Sequence, residues 1–280
     1  MRPRALECIL QTPVRERSDL IAEGLRVLAE HVRALRADVL RLDRADGGRG
    51  LALLQAQLEE EAAKSLILLD LVRLGWSDQT TARRQITYFY EHLPRCIYAE
   101  MVDMRPATFG EVRTRVGWLR ASHYLDGPND VAWIFRNHLM AQREQTLYVD
   151  YVDYGEDGGK WETPVTYDDG VFFHARTPVA DLVIALDRLG ITDRAGLDIV
   201  AEAWVGRSID DDTHWQAVAP VNERVIEAAV ARAGAAPDAS DDDVRRVLDW
   251  GFPMGGLALS KRRVDPALLE KRRAEWHPDA

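Results

Sequence analysis

Three groups of residues have types and spacings suited to chemistry. The first is Glu60-Glu61-Ala62-Ala63-Lys64. Glu61 stands three residues after Leu58 and four before Ser65, on an apolar helical stripe. A carboxylate there is costly to bury without a partner. Glu60 and Lys64 stand four apart, the spacing of an ordinary stabilising helix pair. The second group is Glu91-His92-Leu93-Pro94-Arg95, preceded by Arg83-Arg84. A histidine titrates near neutrality, and an arginine can hold a phosphate with two hydrogen bonds. Together they suit transesterification of RNA, in which the histidine moves a proton and the arginine stabilises the charged phosphorane. The third group is Arg136-Asn137-His138 with Gln142, Arg143 and Glu144. Arg136 and Arg143 are seven apart and share a helix face.

Each group also has a plainer reading. The first is then a solvated ion pair beside a satisfied buried glutamate. The second is a helix-end histidine next to a surface arginine, and the third a solvated helix face with a core histidine. Two further signals carry less. Asp210-Asp211-Asp212-Thr213-His214 has metal-ligand residue types but neither the spacing nor the terminal glutamate of a calcium loop, and such runs usually cap helices. Gly255-Gly256 lacks the context of a phosphate-binding loop and reads as a turn.

The elements that must position these groups are mostly helices. Residues 18–43 form one, capped by Ser18, with Ile21, Leu25, Leu28, Val32, Leu35 and Val39 at helical spacing. Asp46-Gly47-Gly48 ends it. Residues 50–74 form the next, with a stripe of Leu54, Leu58, Ser65, Leu68 and Val72. Gly75 closes it and Ser77 caps a helix over about 78–92. Pro94 then kinks that helix or starts a new one through about Met104. Helices follow over 109–123 and from a cap at Asp126 or Asn129 to about Gln145. Leu147-Tyr148-Val149-Asp150-Tyr151 is strand-like, Gly155 to Gly159 a turn, and Lys160 to Thr163 a returning strand. Five more helices are expected, over about 178–190, 193–205, 214–233, 241–250 and 265–275. Ala235 to Asp243 reads as a linker or exposed loop.

The bulk numbers set limits. A chain of 280 residues, 46% hydrophobic and 29% charged, can bury a core without disulfides or metals. A net charge of −10 argues against non-specific binding of duplex nucleic acid, though a local basic pocket remains compatible with it. Cys8 and Cys96 form no CxxC pair, which suits a reducing compartment and gives no thiolate metal site. No cofactor and no metal are expected. The arginine-bearing N-terminus lacks the apolar run of a signal peptide, and no long stretch is free of charge. The expected location is therefore the cytoplasm, with no membrane partner.

The order of motifs resembles the AbiV abortive-infection proteins of bacteria, which look like relatives of HEPN domains. Glu60 to Lys64, followed by Ser65-Leu66-Ile67-Leu68-Leu69, matches that family's glutamate-lysine helix. His92 and Arg95 match its histidine followed by a basic residue. Arg143, the run Leu147-Tyr148-Val149-Asp150, the Gly155 to Gly159 turn and Trp161 with Pro164 match its arginine helix, strand, turn and closing segment. The resemblance covers about residues 15–165 and leaves 175–280 as a C-terminal helical extension. It implies a mainly α fold: a HEPN-like helical bundle, with a small β-hairpin or extended segment, that forms a homodimer. It also implies a phage-defence protein that shuts down translation, with RNA or the translation machinery as partner and a phage product as activator. Many HEPN domains are metal-independent ribonucleases carrying Arg-x4-6-His. This chain departs from that pattern. Arg84 precedes His92 by eight residues, Arg136 precedes His138 by two, and Arg120 precedes His123 by three.

Two functions follow as expectations. In the first, the chain is an endoribonuclease acting on tRNA or another translation-related RNA. His92 moves the proton, Arg95 or Arg143 holds the phosphate, and Glu61 and Lys64 orient them. In the second, a non-catalytic dimer blocks translation or senses a phage product by contact alone. A metal-dependent helical hydrolase is disfavoured, because no HExxH or carboxylate-histidine repeat is present.

Overall fold

The computed structural model describes residues 5–43, 48–76, 78–124, 135–153, 159–164, 175–233, 239–262, 265, 267, 268 and 271. Helix α1 spans Val14–Asp43 and α2 spans Gly48–Leu74. Gly24 faces Leu68 and Gly50 faces Leu42, so the two run antiparallel along each other. Helix α1 is amphipathic: Ile21, Leu25, Ala29, Val32, Leu35 and Val39 are buried at helical spacing. Beyond Leu58, α2 is buried on all sides, with Ala62, Ala63, Ser65 and every residue from Leu66 to Arg73 inside. It is the axis that the other elements cover.

Helix α3, Gln79–Tyr88, is capped by Asp78, whose side chain accepts from the backbone N–H groups of Thr80 and Thr81. Helix α4, His92–Val102, packs on α2. Pro94 is its third residue, where the backbone has no intrahelical acceptor to lose, so proline starts this helix rather than kinking one. Helix α5, Phe109–Leu119, is capped by Thr108. Helix α6, His138–Leu147, rests on both α2 and α4. Its cap is Asn137, eight residues or more after the expected Asp126 or Asn129. Nδ2 of Asn137 also donates to the carbonyls of Leu119 and Ala121, tying α6 to the end of α5.

Two short antiparallel strand pairs interrupt the helices: β1, His123–Tyr124, with β2, Phe135–Arg136, and β3, Asp150–Asp153, with β4, Gly159–Glu162. The second is the hairpin expected after α6, with Tyr151 opposite Trp161. Helices α7, Pro178–Arg188, and α8, Arg194–Trp204, pack on α1 and α2. Helices α9, Ala219–Ala233, and α10, Asp241–Leu248, follow, the latter closed by a Ser240–Asp243 capping box. The expected helix over 214–233 is divided: a short 3-10 turn, Trp215–Ala217, precedes α9. The fold is mainly α, as the periodicity predicts. One buried hydrophobic cluster runs from α1 through α10 and on to Leu259.

The proposed Asp46-Gly47 break, the Ser77 and Asp126 or Asn129 caps, the hairpin turn at 155–158, part of the linker from Ala235 and most of the helix over 265–275 lie outside the described residues.

Candidate functional site

Glu60, in the middle of α2, is the hub of a four-residue cluster. Its Oε2 meets His92 Nδ1 at 2.6 Å and accepts from Arg95 Nη1 at 3.2 Å. Its Oε1 accepts from Arg143 Nε at 2.7 Å. Three helices therefore converge on one carboxylate: α2 supplies the acceptor, the first turn of α4 supplies His92 and Arg95, and α6 supplies Arg143. The Arg95 side chain is fixed a second time, because its Nε donates to the carbonyl of Phe89 at 2.9 Å.

Burial raises the carboxyl of Glu60, but the hydrogen bonds and charges of His92 and Arg143 outweigh it, and the net direction is down. Glu60 is thus held as a carboxylate. With one negative charge among two arginines and a histidine, the cluster is locally cationic on an acidic chain. His92 keeps 47% of its side chain in solvent against 11% for Glu60. Its Nδ1 is engaged by the carboxylate, and its Nε2 makes no hydrogen bond among the described residues. A carboxylate holding one ring nitrogen of a half-exposed histidine fixes the ring and leaves the other nitrogen for proton transfer.

The expected roles of Glu60 and Glu61 are exchanged. Lys64 pairs with Glu61 at 2.5 Å, three residues away, and not with Glu60. That pair sits beside the cluster, with Lys64 Nζ 5.4 Å from the centre of the Phe89 ring, and makes no bond to His92, Arg95 or Arg143 among the described residues. The physical reason is the phase of α2. The stripe chosen from sequence is buried at Leu58, Ser65, Leu68 and Val72, but α2 is also buried on the turn that faces α4 and α6, and that turn presents Glu60 rather than Glu61.

A cavity of about 390 Å³ opens beside the cluster, lined by Glu59, Glu60, Cys96, Glu100, Gln142 and Arg143 among others. Burial pushes the carboxyl of Glu59 up to about 7, with the nearby acids Asp103 and Glu100 adding to it. Burial likewise pushes the thiol of Cys96 up to about 12, which leaves it a neutral, unreactive wall. Glu59, which stands directly before Glu60-Glu61, was not singled out from the sequence.

The third group does not gather as a unit. Arg143 joins the cluster and Gln142 lines its cavity, whereas Asn137 is a buried cap and the His138 ring packs 5.7 Å from that of Trp118. The side chain of Arg136 lies outside the described residues. Arg83 pairs with Glu7, and Arg84 donates to the carbonyl of Gly256. Asp211 pairs with Arg113, and His214 caps the 3-10 turn. Among the described residues no group of three or more histidines, cysteines or carboxylates could hold a metal ion, and no helix is long and apolar enough to cross a membrane.

A second buried polar network was also missed. Asp70 accepts from Arg73, from the hydroxyl of Tyr98 and from the backbone N–H of Met254, and Gln85 donates to Tyr98. An aspartate and an arginine three apart inside the apolar run Leu66 to Leu74 were its signal. Comparison with known protein families, curated proteins and solved structures finds no match for this chain.

Proposed function

We propose that the chain is a metal-independent endoribonuclease that shuts down translation during phage infection, with His92 as its proton-transfer group. The observation that carries this reading is the Glu60-anchored His92, half-exposed beside Arg95 and Arg143. In the proposed step, Nε2 of His92 takes the proton of a ribose 2′-hydroxyl. That oxygen attacks the adjacent phosphorus and the bond from phosphorus to the 5′-oxygen breaks, giving a 2′,3′-cyclic phosphate and a 5′-hydroxyl whose proton comes from solvent water, and the imidazolium of His92 then returns its proton to water. Glu60 holds Nδ1–H and stabilises the imidazolium as it forms. The N–H groups of Arg143 and Arg95 not used by Glu60 meet the phosphate charge. The defence role, the RNA target class, the homodimer and the phage-derived activator are supported by the resemblance of the motif order to that of AbiV proteins, and the cytoplasmic location by two cysteines without a CxxC pair. This scheme gives Glu61 and Lys64 no role beyond their own ion pair.

A second reading is favoured by one feature of the same cluster: both arginines are already committed to Glu60. The cluster is then a structural tie between α2, α4 and α6, and the protein arrests translation by binding alone. Incubating the purified chain with total RNA in EDTA separates the two. Discrete fragments that disappear with His92→Ala support the nuclease. Intact RNA together with arrested translation refutes it and supports the binding reading.

A further inference from the structure

Arg73 and Trp204 both line a cavity at the C-terminal end of α2, and both carry a buried N–H without a partner. Arg73 Nη1 donates to Asp70 at 3.2 Å and Nη2 to the carbonyl of Gly251 at 2.7 Å, but its Nε has no acceptor. Trp204 Nε1 has none either. Arg73 is 4% exposed and Trp204 also 4%. Leaving such donors unpaired costs about 1–3 kcal/mol each, so they are either strained or waiting for an acceptor.

The cavity measures about 690 Å³, within the usual range for small-molecule sites. Its walls include the rings of Trp76, Phe109 and Trp204, and its charged lining is Arg73, Arg113 and Arg207, with no carboxylate among the described lining residues. Asp211 partly neutralises Arg113 from outside that lining. Arg207 donates only to the carbonyl of Ala203 among the described residues, so its charge is uncompensated there. The guanidinium of Arg73 lies 4.2 Å from the centre of the Trp204 ring and 4.1 Å from that of Trp250, which holds it rigid. Arg73 stands thirteen residues after Glu60 on the same helix, about 20 Å along its axis, so this cavity is separate from the Glu60 cluster.

We propose that this cavity binds an anion with a planar aromatic part, of the nucleoside phosphate class. The partly buried ring of Trp76 gives a surface for a base, while the buried rings of Trp204 and Phe109, packed on Arg73 and Phe252, wall the inner side. Arg207 and Arg113 at the mouth meet the phosphate, and the unpartnered N–H groups of Arg73 and Trp204 meet acceptors on the buried end. Aromatic walls alone would take any apolar ring and arginines alone any anion; their combination around spare donors selects a ligand that has both. The proposal is independent of RNA cleavage.

Calorimetric titration of the full chain with AMP, GMP, ATP, adenosine and inorganic phosphate tests it. The expected result is saturable binding of at least one nucleotide, with adenosine and phosphate alone weaker by about tenfold or more. Arg207→Glu, at an exposed position, should leave the unfolding temperature unchanged and weaken that nucleotide by about tenfold. Trp204→Phe, which keeps an aromatic ring against Arg73 but removes the pyrrole ring with its N–H, should weaken it as well. No saturable nucleotide binding up to millimolar concentration overturns the proposal. So does binding that neither variant alters, or phosphate binding as tight as nucleotide binding.

Discussion

At the scale of the residue, two adjacent glutamates on α2 do different work. Glu60 is buried and takes three partners, so removing its charge strands Arg95 and Arg143 in a poorly solvated site. We predict that Glu60→Ala destabilises the chain by about 3–5 kcal/mol in urea unfolding. Glu61→Ala, which loses a single pair with Lys64, should cost about 1 kcal/mol. Equal costs would mean that Glu60 is not the hub. A second prediction concerns pH. The raised carboxyl of Glu59 keeps its proton in the folded chain, so its contribution is fully present below 4.5 and is lost as pH rises towards 7. Glu60 has the opposite sign: its contribution is present above 4.5 and is lost as pH falls through its lowered value. A Tm-against-pH profile of Glu59→Gln should therefore lack the decline between 4.5 and 7 that the parent shows; a decline that persists in the variant would assign it to other groups. The roles of the two glutamates on α2 could not be read from the sequence. A helix buried all round has no single apolar stripe, so spacing cannot say which carboxylate faces a partner.

At the scale of the element, the cluster depends on how α6 is held. Periodicity gave the long helices to within a few residues: α2 was expected over 50–74 and spans Gly48–Leu74. The start of α6 was not legible, because asparagine and aspartate are equally good caps and several stand between α5 and α6. What selects Asn137 is tertiary: two carbonyls at the end of α5 accept from its amide while its Oδ1 caps Met140. Asn137→Ala thus removes a cap and leaves two acceptors unpaired, one of them fully buried. The expected loss is about 2–4 kcal/mol in denaturant unfolding. Because α6 carries Arg143, any RNA cleavage should fall with it even at temperatures where the chain is folded. Wild-type stability in Asn137→Ala would show that α6 is positioned by its packing on α2 and α4 alone.

At the scale of the whole molecule, the segment over residues 249–262 after α10 was hidden from the sequence because it contains no helix to detect. It has no apolar period, yet Phe252, Met254, Leu257 and Leu259 are all buried. What anchors it is a set of long-range polar contacts from helices far earlier in the chain. Asp70 on α2 accepts from the backbone of Met254, and Arg73 donates to the carbonyl of Gly251. Tyr88 at the end of α3 closes the latch: its hydroxyl donates to the carbonyl of Leu257 at 3.1 Å and accepts from the N–H of Leu259 at 3.0 Å. Both backbone groups are buried and gain nothing from solvent if that oxygen is removed. Tyr88→Phe keeps the ring, fills the same space and deletes only the latch. We predict a loss of about 2–4 kcal/mol in global stability. We also predict faster amide hydrogen exchange across residues 251–259 than in α1, because the segment is held by side chains rather than by a helical ladder. If Tyr88→Phe slows nothing and speeds nothing in that segment, it is held by its buried apolar side chains, and the polar contacts from α2 and α3 merely accompany them.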